Sequence, residues 1–114
     1  MVIIYQKNFS DLFSSQKVNN SYSDIERELI KVTHNYTDNY YYKVLENGDS
    51  DYITVKGLQE EGLITNVVDI KKIHCSGYIH FYKEEGITHY DPYIKCGDNY
   101  TTKGYQSSHD VAVD

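Results

Sequence analysis

At 114 residues the chain has room for one domain and one small hydrophobic core. It carries 11 Lys and Arg against 17 Asp and Glu, a formal net charge of −6, so its surface repels phosphate backbones and anionic lipid and no nucleic-acid partner is expected. Thirteen tyrosines, three phenylalanines and no tryptophan supply the aromatic content, so the rings that build a core also carry hydroxyls that need water or a partner.

Val2, Tyr5, Phe9, Leu12 and Phe13 recur at helix-compatible spacing, and residues 1–20 read as an N-terminal segment or the stub of an anchor helix. The apolar patch Val2-Ile3-Ile4-Tyr5 is far shorter than the ~20 residues of a membrane span or the ~7–15 of a secretion-signal core. Asn19-Asn20-Ser21 reads as a break. Ser23-Asp24-Ile25-Glu26 then has the form of a capping box, with the Glu26 side chain expected to reach back to the first turn. Ile25, Leu29, Val32, Tyr36 and Tyr40 form one apolar stripe behind it, which predicts an amphipathic helix. Of the rings in Tyr40-Tyr41-Tyr42, at least one should stay outside the core.

Asn47-Gly48-Asp49-Ser50-Asp51 is a loop by its turn residues, and Thr54 caps a short second helix through Glu61. Gly62 stops that helix, with Leu58 and Leu63 placed as the hydrophobic pair of a Schellman motif. Val67-Val68 starts or edges a sheet. The hairpin that follows is the most informative stretch of the chain. If the chain reverses at Glu85-Gly86, Phe81 faces Tyr90, Ile79 faces Pro92, Gly77 faces Ile94 and Cys75 faces Cys96, all on one side of the ladder. The other side pairs His80 with Asp91, Tyr82 with His89 and Tyr78 with Tyr93. A slip of one residue would mix the two sets. The register therefore predicts a Cys75–Cys96 disulfide, worth about 3 kcal/mol by chain entropy, and with it an oxidising compartment outside the cytoplasm. Two reduced, inert thiols in a cytoplasmic protein are the alternative. Parity fixes which residues travel together, but not which sheet face meets the helix. After Cys96, residues 100–105 can add a strand, and residues 107–114 read as a polar tail.

The leading amphipathic helix, the short helix Ile53-Thr54-Val55-Lys56-Gly57-Leu58-Gln59-Glu60-Glu61-Gly62-Leu63-Ile64, the start Cys75-Ser76-Gly77-Tyr78 and the end Tyr93-Ile94-Lys95-Cys96 together resemble a known arrangement. It is that of the exported globular part of small, membrane-anchored type IV pilin-like (prepilin-type) proteins of Gram-positive bacteria, matched over residues 21–105. The resemblance implies a helix laid on a small antiparallel sheet. It also implies an extracellular or cell-surface location, and partners that are other pilin-like subunits or a cell-surface protein or glycan. Contact with a membrane would run only through an anchor missing from this chain.

The expected architecture is α+β: an N-terminal amphipathic helix packed on a small antiparallel sheet with a disulfide-stapled hairpin, in a single domain over residues 21–106. No catalytic residue is assigned, because no nucleophile elbow, phosphate-binding loop or Cys-His signature is written in the chain, and no cofactor is expected. No metal site is expected either. His80 and His89 share one hairpin face while His74 has the other parity, and zinc-ligand spacing is absent. The favoured function is a non-enzymatic structural or adhesive surface domain. The alternative is a secreted binding module that recognises a protein or glycan through a Tyr-rich sheet face, with Tyr78, His80, Tyr82 and Tyr93 as the contact residues.

Overall fold

The computed structural model describes residues 22–111. The N-terminal segment 1–20, expected to be an anchor stub, and residues 112–114 of the expected tail lie outside the described residues. The described chain is α+β. Helix α1 (Tyr22–Asn39) is followed by strand β1 (Ser50–Thr54), helix α2 (Val55–Glu60), and strands β2 (Ser76–Glu84), β3 (Ile87–Cys96) and β4 (Tyr100–Thr101). A short 3-10 turn, Ser107–His109, closes the order. The strands form one antiparallel sheet in the order β1-β2-β3-β4.

The β2–β3 hairpin has the register that its alternation dictates. Gly77 faces Ile94, Ile79 faces Pro92 and Phe81 faces Tyr90, while Tyr78, His80 and Tyr82 face Tyr93, Asp91 and His89. Glu85 and Gly86 make the reversal with φ of 52° and 79°, the pair of positive angles that a two-residue type I′ turn requires. The Gly86 N–H donates to Asn47 Oδ1 at 2.8 Å, which ties the turn to the loop before β1. At the far end Cys75 and Cys96 are joined by a disulfide.

Helices α1 and α2 cover the face that carries Ile79, Phe81 and Ile94. Leu29 and Val32 of α1, Val55 and Leu58 of α2, Ile64, Val67, Ile79, Ile94 and both cysteines form the core cluster. Tyr36 packs against it, whereas Tyr40, expected on the same stripe, stands half-exposed just beyond the end of α1. Tyr41 turns inward instead: its ring meets Phe81 edge-on at 5.2 Å and its hydroxyl donates to Asp51 at 2.6 Å.

Helix α2 ends as its sequence says. The Thr54 hydroxyl accepts the Gly57 N–H at 2.8 Å. Gly62, with φ of 78°, then lets Leu63 N–H reach Leu58 O and Gly62 N–H reach Gln59 O, each at 3.0 Å. Three expectations differ. The helix α1 already includes Ser23, so Ser23-Asp24-Ile25-Glu26 is not its capping box. Glu26 points across to the sheet and accepts hydrogen bonds from the hydroxyls of Tyr100 and Thr102, pinning α1 to β4. Strand β1 stands where only a loop and a cap were read, and the last strand is only Tyr100–Thr101.

A second polar tether holds the start of α1. Asp69 is buried in the turn before β2, where its Oδ1 accepts the N–H groups of Lys71 and Ile73 at 2.8 and 2.9 Å and its Oδ2 accepts the Tyr22 hydroxyl at 3.1 Å. Burial alone would raise this carboxyl. The hydrogen bonds from Ile73, Lys71, Tyr22 and Asn99 outweigh it and hold the group below its ordinary value. Tyr22 stacks in turn on Tyr100, centroid to centroid 4.2 Å.

Gly77 is where the hairpin depends most on a missing side chain. Its φ is 152°, and a Cβ there would sit 2.1 Å from Tyr93 O and 2.9 Å from Ile94 Cα. Backbone must move to admit it, so Gly77→Ala is expected to destabilise by more than about 2 kcal/mol in denaturant unfolding. Gly62→Ala, whose added Cβ meets nothing within 4 Å, should cost only the strain of its positive φ.

Candidate functional site

The outer face of the sheet, away from the helices, is built from the alternate residues of three strands. β1 contributes Tyr52, placed opposite His80 of β2. β2 contributes Tyr78, His80 and Tyr82, and β3 contributes His89, Asp91 and Tyr93 opposite them. These rings do not stand apart. His109 stacks on Tyr52 at 4.3 Å and 8°, Tyr52 on His80 at 4.6 Å and 20°, His80 on Tyr82 at 4.9 Å and 29°, and Tyr82 on His89 at 5.0 Å and 17°. The result is one row of five near-parallel rings, alternating histidine and tyrosine, that crosses the sheet from the 3-10 turn to β3.

A second group lies beside the row. Tyr78 stacks on Tyr93 at 5.0 Å, and the chain after β4 folds over both. Tyr105 and His109 approach the Tyr78 ring at 5.7 and 5.4 Å, and the Gln106 N–H donates to the Tyr78 oxygen at 3.0 Å. The Tyr105 hydroxyl donates to Asp110 at 2.6 Å. Burial, and then that bond, push the Tyr105 phenol up to about 12. Residues 107–110, expected in a polar tail, are thus part of the packed outer face.

Of the four residues named from the sequence as a contact surface, Tyr78 is buried to 2% exposure and belongs to the packing under this segment. Tyr105, at the end of the expected last strand, and His109 of the expected tail supply the cover, which the polar letters of the tail do not reveal. His80 and Tyr82 are half-buried members of the row, and Tyr93 is half-buried beside Tyr78. The structure adds Tyr52, 40% exposed, together with His89 and His109. Tyr52 and Ile53 alternate outward and inward in Ser50–Thr54, a strand signal that the neighbouring turn residues concealed.

Local polar contacts hold the row. The Ser50 hydroxyl and His80 Nε2 share a hydrogen bond of 2.7 Å. Asp91, opposite His80, bonds the Tyr82 hydroxyl; burial first, then the Asp91 charge and this bond, raise the Tyr82 phenol above its ordinary value. Asp91 is thus engaged by Tyr82, and His80 is held by Ser50 of the edge strand β1.

The stacking decides what the row offers to solvent. Tyr52, His80 and Tyr82 each have a ring on both faces, so they present edges: electropositive C–H rims, imidazole nitrogens and phenol hydroxyls. Next to the Tyr52 end, a pocket of about 410 Å³ opens between β1, α2 and the 3-10 turn, with Glu60, Glu61 and His109 among its walls. Among the described residues no three His, Cys, Asp or Glu side chains gather to hold a metal ion, and no helix is long and apolar enough to cross a membrane. Comparison with protein families, with curated proteins and with solved structures gives no match.

Tyr78, buried under this segment, and Tyr82, half-buried in the row, predict unequal costs on the same strand. Tyr78→Ser should lower stability by about 3–5 kcal/mol, as for other large buried aromatic side chains cut back. Tyr82→Ser should cost less than about 1 kcal/mol. Thermal melts of the two variants check this.

Proposed function

We propose that the chain is a non-catalytic, extracytoplasmic surface domain of structural or adhesive type that contacts a protein partner through the ring row. The observation that carries the reading is the stack His109–Tyr52–His80–Tyr82–His89. Tyrosine and histidine supply large, rigid contact area with a polar tip at small conformational cost, which is what recognition surfaces use. The Cys75–Cys96 disulfide supports an oxidising location.

A protein is favoured over a glycan for a geometric reason. Sugars dock on an open aromatic face, and the inner three rings have both faces covered by neighbours. Ring edges, imidazole nitrogens and hydroxyls suit the carbonyls and carboxylates of a polypeptide. In the pilin-like reading that partner is a neighbouring subunit or a cell-surface protein. The helix laid on an antiparallel sheet with a disulfide is compatible with it.

Tyr82→Ser combined with His89→Ser tests the proposal, because both rings lie at the β3 end of the row, away from the packed Tyr78 group. Attachment of the purified domain to intact cells of the source organism should fall at least about tenfold, the scale of losing a contact hot spot, with the melting temperature nearly unchanged. Protease treatment of the cells should remove attachment and glycosidase treatment should not. Undiminished attachment by the double variant would sink the ring-row reading, and sensitivity to glycosidase alone would give the site to a glycan.

A further inference from the structure

Strand β3 is an edge of the sheet along most of its length. β4 pairs only with Lys95 and Cys96, and Thr102 after it reaches one step further, to Ile94. Ile94 turns both of its backbone groups to that side: its N–H donates to the Thr102 hydroxyl at 2.9 Å and its carbonyl accepts the Thr102 N–H at 2.9 Å. Backbone direction alternates along an antiparallel strand, so Pro92, Tyr90 and Thr88 turn theirs the same way. Among the described residues the N–H and carbonyl groups of Thr88 and Tyr90 have no partner on that side. The free window is bounded at both ends. Pro92 has no N–H, and its ring stands where the next donor would be, while the Glu85-Gly86 reversal begins the strand. Residues 87–91 remain, with His89 at their midpoint. The opposite edge of the sheet is guarded, because the Tyr52 N–H in β1 is already taken by Asp51 Oδ1 at 2.8 Å.

We propose that this edge pairs with the same edge of a second copy of the chain, antiparallel about a two-fold axis at His89. In that register Thr88 faces the second copy's Tyr90, and Tyr90 faces its Thr88. Each N–H then meets a carbonyl, and every outward backbone group of residues 87–91 in both copies is paired. Moving the axis to Tyr90 would set the Pro92 ring against Thr88 and lose that match. The ring row favours the same axis. His89 is its last ring, stacked on Tyr82 at 5.0 Å. At the axis the two His89 residues stand directly opposite as a non-hydrogen-bonded pair, the position where side chains come closest. Neighbouring strands lie about 4.8 Å apart. The rings within the row are spaced 4.3–5.0 Å. The second His89 therefore fits on the free side of the first, and the two rows run on as one across a joined sheet. The inference goes beyond the attachment proposed for the row. Its readouts are taken on purified protein without cells, so either can fail alone.

Sedimentation of the purified chain reads the association, and amide hydrogen exchange followed by NMR locates it. An interface this small is weak, so monomer is expected at about 10 µM and dimer at about 1 mM. The Thr88 and Tyr90 amides should exchange more slowly as concentration rises, and the Tyr52 amide at the guarded edge should not change. Thr88→Pro removes a donor that no ladder bond uses, so the fold should stay intact and the dimer should be lost. His89→Asp, which sets two carboxylates face to face, should weaken the dimer at least about fivefold, and His89→Tyr, which keeps a ring at the axis, should retain it. A chain that stays monomeric at the highest concentration, a dimer that leaves Thr88 and Tyr90 exchange unchanged, or a dimer that survives in folded Thr88→Pro would each overturn the proposal. Should Thr88→Pro fail to fold, equal dimerisation of His89→Asp and His89→Tyr would overturn it. Slowed exchange at Thr88 and Tyr90 that appears only on adding protein released from cell surfaces, with the chain itself monomeric, would give the edge to a foreign strand and overturn the two-fold pairing.

Discussion

The register of the β2–β3 hairpin is the constraint on which the rest of the molecule depends. It is set at both ends. The reversal takes two positive φ angles, at Glu85 and Gly86, and only a two-residue loop of that kind brings Glu84 opposite Ile87. At the open end the Cys75–Cys96 disulfide joins the two strands just past the last pair, Ser76 and Lys95. Between them Gly77 lets the Tyr93 carbonyl approach closer than any Cβ would allow. Because side chains alternate, a slip of one residue would set the core residues of one strand beside the outer residues of the other, so that Ile79 and Phe81 would no longer share a face with Ile94. One register thus decides both what the helices cover and what the outer face displays.

The helical layer adds apolar burial and two polar tethers that orient it. Leu29, Val32 and Leu58 meet Ile79 and Ile94 in a core that includes the disulfide, so the cross-link is itself part of the packing. Glu26 holds α1 to Tyr100 and Thr102, while Asp69 holds Tyr22 and the turn before β2. Both carboxylates are satisfied by several donors. Glu28, on the same helix, is held less fully: Oε1 lies 3.6 Å from the Lys31 ammonium and Oε2 is buried without a donor.

The features legible in the sequence are those governed by short-range rules. The alternation of residues 76–96 with a Glu-Gly reversal carried the register, the face of the cysteines and the disulfide. Thr54 and Gly62 carried the limits of the second helix to within a residue. What the sequence concealed depends on contacts between distant segments. Ser50–Thr54 reads as a loop because its edge position permits Ser50 and Asp51, and only the pairing of Tyr52 with His80 makes it a strand. Tyr78 shares its face with His80 and Tyr82, yet residues 105–109 cover it and leave the others at the surface, a distinction that parity does not encode. Glu26 looked like a local cap because the pattern Ser-x-x-Glu was present, whereas its partners lie on β4 and the residue after it. The ring row has members on three segments, Tyr52, the hairpin and His109, so no single stretch of sequence announces it.

The most direct measurement of the hairpin register is the intact mass of folded, unreduced protein after treatment with a thiol-alkylating reagent, with and without prior reduction. The register predicts no alkylation of Cys75 or Cys96 before reduction and alkylation of both after it. Two freely alkylated cysteines in folded protein prepared under oxidising conditions would contradict the stapled hairpin and, with it, the division of the sheet into a core face and a ring face.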